Sequence, residues 1–153
     1  MIEQDEMKGG VKVCELVEHL DLAVVNKGAD FETALVGIRD VNRPGLQLVG
    51  FFDYFDPRRL QVIGMAETKM LESMDPEHRS RSFTRLFGYD IPALVVSRDL
   101  DIYPECLSMA RKHQRTLLHT ADTTVAFTTK VIEYLSQALA PTITRHGGLL
   151  DIY

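Results

Sequence analysis

The chain has 153 residues, 17 basic and 22 acidic side chains, and a formal charge of −5 with its five histidines neutral. That is one domain's length, and a 45% hydrophobic content can fill a single core that hides roughly 70% of the unfolded surface. Cys14 and Cys106 stand far apart with no CxxC or Cys/His ladder, which excludes a zinc ribbon, a thioredoxin motif and a disulfide scaffold, and the lack of a basic tract argues against nucleic acid as a partner.

Val13, Leu16, Val17 and Leu20 recur at i, i+3, i+4 and i+7, so a short helix begins soon after Gly9-Gly10. Leu22–Val25 reads as a strand, Lys27–Asp30 as a turn, and Leu35–Val41 as a second strand with Val36 and Ile38 on one face. Pro44 cannot continue a central strand but suits a first helical turn, so Pro44–Val49 reads as one turn of helix. The aromatic stretch Phe51, Phe52, Tyr54 and Phe55 reads most simply as core. After the Asp56-Pro57 turn, Leu60–Met65 is a strand and Ala66–Met74 is helical. Asp75-Pro76-Glu77 is the strongest start signal: an N-cap carboxylate, proline at the first helical position and an acid in the first turn, with the helix reaching about Phe87. Ala93–Val96 is a continuous apolar run, as expected of a strand covered on both faces. Pro104 opens a helix that turns Cys106, Leu107 and Ala110 inward, and Thr116–Leu118 is the next strand. Asp122 or Thr123 caps the longest helix, with Val125, Ile132, Leu135 and Leu139 on its inner side until Pro141 ends it. Thr142–Tyr153 reads as strand, Gly147-Gly148 turn and strand. Strands alternating with helices predict an α/β domain with a largely parallel sheet and helices on both faces.

No apolar run reaches the roughly 18 residues of a membrane span, and Met1–Gly10 carries the wrong charge for a signal peptide, so the expectation is a cytoplasmic protein with no membrane partner and both thiols reduced and buried. There is no GxxxxGK[ST], GxGxxG, GxSxG or HExxH, and no metal-ligand spacing. The residues alone name no reaction. Arg81 and Arg85, at i, i+4 beside His78 and Arg79, suit a phosphate or an acidic partner, or form a solvated face. Arg43-Pro44-Gly45, at a strand-to-helix junction, is either an anion-binding turn or a plain one. His19, His113 and His119 fall in apolar elements where one hydrogen bond satisfies an imidazole, while His146 precedes a glycine pair that lets backbone approach a ligand.

Two segments carry a resemblance over nearly the whole chain. The first is Val36-Gly37-Ile38-Arg39-Asp40-Val41-Asn42-Arg43-Pro44-Gly45-Leu46-Gln47-Leu48-Val49-Gly50-Phe51-Phe52-Asp53-Tyr54-Phe55, followed by Arg59–Gly64 with Glu67 and Leu71; the second is Leu139-Ala140-Pro141 with His146-Gly147-Gly148-Leu149-Leu150-Asp151-Ile152-Tyr153. In this order and spacing they resemble the amino-terminal domain of bacterial HPr kinase/phosphorylase. The resemblance implies a parent enzyme, cytoplasmic in bacteria, that uses ATP or pyrophosphate with magnesium to phosphorylate a serine of HPr, the phosphocarrier of the sugar phosphotransferase system. It also implies removal of that phosphate by phosphorolysis, control of carbon catabolite repression, a hexameric assembly, and an active-site role for His146. The fold it implies is a three-layer α/β sandwich similar to the uridine-nucleotide-binding domain of muramyl ligases. By the same resemblance residues 1–140 form the amino-terminal domain, and 141–153 form a linker and the first strand of a catalytic domain whose phosphate loop is absent here. The expectation is a chain without cofactor or kinase activity of its own, working as an assembly and regulatory domain, with 142–153 lacking its sheet partners. The rival expectation is a small-molecule domain that binds a nucleotide or phosphorylated effector at Arg43, Pro44 and Gly45 beside Phe51 and Phe52; the third is an enzyme with an unrecognised site.

Overall fold

The computed structural model describes residues 9–140. Its centre is two short, wholly buried strands, β5 (Leu60–Ile63) and β6 (Leu94–Val96), flanked by β4 (Val41–Asn42) and β7 (Leu117–His119), all parallel. β2 (Ala23–Asn26) closes the far edge antiparallel to β7, giving the order β2-β7-β6-β5-β4. The register sets Val62 beside Val95 and Val95 beside Leu118. Because side chains alternate across a strand, Val62, Val95 and Leu118 point to one face while Ile63, Leu94, Val96 and Leu117 point to the other, and each face gathers its own core.

On the first face lie α1 (Val13–Leu20) and α6 (Thr124–Ala138), through Val13, Leu16, Phe127, Val131 and Leu135. On the second lie α2 (Gly45–Leu48), α3 (Met65–Glu72), α4 (Pro76–Phe87) and α5 (Pro104–His113), through Leu48, Leu71, Phe83, Phe87 and Cys106. The architecture is therefore a three-layer α/β sandwich with a mostly parallel sheet. Asp75 caps α4 by accepting from the His78 amide at 2.7 Å, and Thr123 caps α6 by accepting from Ala126 at 3.2 Å, the latter choosing between the two expected caps. No helix among the described residues is long and apolar enough to cross a membrane.

Four expectations are corrected. Leu35–Val41 is not one strand: β3 (Leu35–Val36) pairs antiparallel with β1 (Val11–Lys12) in a separate two-stranded sheet, and a bend over residues 37–40 carries the chain on to β4. Most of the aromatic stretch is not core: Phe51 is 46% exposed and Tyr54 wholly so, Phe52 stacks on Tyr89 at 4.8 Å, and only Phe55 of the four packs against the core, partly buried. Val125 is 77% exposed; the inner stripe of α6 runs through Thr124, Phe127, Val131 and Leu135, at spacings of three, four and four residues. Cys14 is only half-buried, although Cys106 is fully so and both are free. The expected tail strands and His146 lie outside the described residues.

Candidate functional site

The carboxyl ends of four parallel strands meet at one edge of the sheet, the place where open α/β folds bring ligands to loop residues. Arg43 follows β4, Gly64 follows β5, Ser97 follows β6 and Thr120 follows β7. Glu67, in the first turn of α3 and 5% exposed, organises the first two: its Oε1 accepts from Arg43 Nε at 3.1 Å, from Arg43 Nη2 at 2.7 Å and from the Gly64 amide at 2.8 Å. A Cβ at Gly64 would lie 2.5 Å from Thr124 Oγ1 and 2.8 Å from Arg43 Nη2, so a larger residue there must displace one or both.

The other two strand ends are braced through α6. Ser97 Oγ donates to the Ile63 carbonyl at 2.9 Å, so the 2.7 Å contact between Ser97 and Thr124 has Thr124 as donor. Arg98 and Asp99 then take left-handed backbone angles, φ 59° and 54°, at a cost on the order of 1–3 kcal/mol each. Their amides are held by Asp122 O at 2.7 Å and Thr120 O at 2.9 Å. His119 Nε2 lies 3.0 Å from Leu100 O and 3.7 Å from Asp99 Oδ1. Arg43, Glu67, Ser97, Thr120, Thr124 and His119 are engaged with backbone or with another side chain, whereas the Arg98 side chain is exposed, and no described contact at this edge pairs a nucleophile with a base. The arrangement positions loops.

The predicted effector residues stand on this edge. Arg43 keeps 40% of its side chain exposed, and its Nη1 makes no hydrogen bond among the described residues. Pro44 precedes α2, the Gly45 amide donates to Arg43 O at 2.9 Å, and Gly45 faces Met70 and Glu67 of α3. Glu67 enters the sequence reading only as a residue that carries the resemblance, with no role, although a signal was present: a carboxylate three residues after Gly64 at a helix start is a capping pattern. Its partner Arg43, 24 residues away in sequence, carried no such signal.

The basic cluster of α4 divides in two. Arg79 is structural: it meets Glu105 at 3.0 Å, donates to the carbonyls of Leu71 and Met74, and stacks over Tyr103 at 4.6 Å. Arg81 and Arg85 face outward and, with Met109 and Lys112 of α5, line an open groove of about 410 Å³. Among the remaining candidates, His19 stacks on Tyr134 at 4.0 Å. Burial pushes the Cys106 thiol far up from its ordinary range, which leaves it without nucleophilic character at neutral pH. No three His, Cys, Asp or Glu side chains among the described residues gather as a metal-ligand set.

Comparison with known proteins gives the arrangement a context. The family model described as HPr Serine kinase N terminus matches residues 11–135. The HPr kinase/phosphorylase of Alkaliphilus metalliredigens is 43% identical over 143 residues, which cover 94% of this chain and 46% of that protein. The enzymes of that name from Clostridium tetani and Clostridium perfringens are 42% and 41% identical over 144 residues. The chain thus spans about half the length of the curated relatives it matches. A crystal structure of the CBS and DRTGG domains of the regulatory region of Clostridium perfringens pyrophosphatase, complexed with the activator diadenosine tetraphosphate, superposes with a TM-score of 0.57 at 14% identity, covering 86% of this chain and 50% of that one. At that identity the likeness is one of fold.

Proposed function

The chain belongs to the HPr serine kinase N-terminus family, and from that premise we propose that it is the non-catalytic front half of an HPr kinase/phosphorylase, acting through protein contact as an assembly and regulatory domain. The observation that carries this reading is the extent of the match: more than 40% identity across 94% of the chain, against 46% of the relatives' length. The remaining length of the relatives is where a phosphate-holding module belongs. Phosphoryl transfer needs amides cradling the phosphates, a lysine and a hydroxyl on magnesium, and the sequence holds no GxxxxGK[ST]. Among the described residues no three His, Cys, Asp or Glu side chains gather as a ligand set for a metal ion. No step of transfer is therefore assigned to them.

In the parent enzyme the proposed activity is phosphorylation of a serine of HPr with ATP or pyrophosphate, and its reversal by phosphorolysis, in a bacterial cytoplasm where it controls carbon catabolite repression. His146 would enter that active site, and self-association would be part of the parent's hexamer. Sedimentation velocity of the purified chain, alone and mixed with the carboxyl-terminal half of the Alkaliphilus metalliredigens enzyme, tests the contact role. A faster species in either sample supports it; two independent monomers in the mixture count against it.

One observation favours a second reading, an effector-binding domain: Arg43 keeps 40% of its side chain exposed, with Nη1 unbonded among the described residues, at the sheet edge where folds of this class place ligands. Uridine nucleotides and sugar bisphosphates are the probes. A rise in melting temperature that Arg43→Ala removes would support it, and no rise with either probe would dismiss it.

A further inference from the structure

The groove between α4 and α5 belongs to neither reading and has its own chemistry. Arg79, Arg81, Arg85, Arg111 and Lys112 stand on these two helices against only Glu77 and Glu105, in a chain whose net charge is −5. Glu105 is consumed by Arg79. Arg81 reaches only Glu77, at 3.7 Å with both groups exposed, and Arg85 and Lys112 have no carboxylate partner among the described residues. The cations border an apolar floor: Met109, whose sulfur accepts from Thr84 Oγ1 at 3.0 Å, and the aliphatic stems of the cations themselves. Arg85, at the groove wall, also stands beside Gly50 and its exposed apolar neighbours. Gly50, with φ +98°, lies so close that a Cβ there would sit 3.6 Å from Arg85 Nη2, and its neighbours Val49 and Phe51 are exposed, as is Tyr89 just beyond α4.

We propose that this groove and the adjoining apolar rim are a docking site for an acidic segment of a partner protein, with carboxylates meeting Arg81, Arg85 and Lys112 and an apolar side chain seated on Met109. Charge complementarity selects the occupant: unpaired cations beside exposed aromatic and aliphatic groups have the composition of an interface centre, in which arginine and aromatic residues dominate. A small phosphate ion is a poorer fit, because the α4 N-terminus is already filled by the Asp75 carboxylate and the cations sit on flexible stems of two helices. Nucleic acid is a poorer fit too, since a phosphate backbone needs an extended basic tract and these cations are confined to two helices of a chain with net charge −5. The inference does not depend on what the parent enzyme catalyses.

The test is a ¹⁵N NMR titration of the chain with a soluble peptide carrying Glu and Leu on successive turns, run beside inorganic phosphate and a single-stranded RNA oligomer. The expected result is saturable shifts at Thr84, Arg85, Met109 and Lys112, an affinity that falls with added salt, and about tenfold or greater weakening in Arg81→Glu/Arg85→Glu. Should that double variant unfold, the exposed Lys112→Glu on the opposite wall gives the same reading. Unchanged affinity in the charge-reversed chain, shifts outside the groove, or tighter saturation of the same resonances by phosphate or RNA would each overturn the proposal.

Discussion

Replacing Glu67 with alanine removes the one oxygen to which Arg43 Nε (3.1 Å), Arg43 Nη2 (2.7 Å) and the Gly64 amide (2.8 Å) all donate. The consequences differ by donor. The Gly64 N–H is buried and left without an acceptor, a loss of about 1–3 kcal/mol. Arg43 is 40% exposed, so water replaces its partner and the lost pair is worth only about 1 kcal/mol. The expected cost of Glu67→Ala is therefore about 2–4 kcal/mol, or roughly 5–15 °C in melting temperature for a domain of this size. Arg43→Ala leaves the Gly64 bond intact and should cost about 1–2 kcal/mol; the double variant should fall about 1 kcal/mol short of the sum, because the two side chains share one contact. Urea unfolding of the four proteins, checked by calorimetry, measures the cycle. A Glu67→Ala variant within about 0.5 kcal/mol of the parent, with no coupling to Arg43, would refute the assignment of Arg43 as the brace between β4 and α3.

Other outcomes follow from single contacts. Gly64→Ala forces a methyl against Thr124 and Arg43 and should destabilise by about 1–3 kcal/mol, read by the same urea curves. Phe127→Ala should cost about 3–5 kcal/mol while Val125→Ala stays within about 0.5 kcal/mol, and equal effects would contradict the observed inner face of α6. Asp75→Ala removes the cap on α4 and should cost about 0.5–2 kcal/mol in thermal unfolding. Iodoacetamide at neutral pH should modify the half-buried Cys14 in the native chain and reach Cys106 only after unfolding, since burial keeps that thiol protonated; intact mass spectrometry counts the adducts.

The parts of the fold legible in the sequence are those whose cause is local. The apolar run at Ala93–Val96 announces a strand covered on both faces, and Asp75-Pro76 and the Asp122-Thr123 pair announce helix starts that the hydrogen bonds of Asp75 and Thr123 then realise. Leu35–Val41 misled because its alternation is genuine while its pairing is not: β3 turns to β1, and the Val13 amide donates to Ala34 O at 3.0 Å, a long-range choice that periodicity does not record. The aromatic residues after Gly50 misled for a different reason. Aromatic character says that a side chain wants a neighbour, and the neighbour Phe52 finds is Tyr89, on the surface just beyond α4. Val125 erred by phase alone, one helical position away from the buried Thr124. At the carboxyl edge Arg43 was visible as a turn residue, but its anchor Glu67 sits on another helix, so its role appeared only once β4 and α3 stood side by side. The family, by contrast, was legible from two blocks of sequence, and the match over residues 11–135, which spans the first of them, establishes it.

The central claim is that the described fold organises and regulates but transfers no phosphate. Incubating the purified chain with HPr and magnesium, and with ATP or pyrophosphate as donor, then reading HPr by phosphopeptide mass spectrometry, tests it most directly, with the full-length Alkaliphilus metalliredigens enzyme as the positive control. The account predicts unmodified HPr beside the chain and phosphoserine in the control. Phosphoserine appearing in proportion to the concentration of this chain would contradict it.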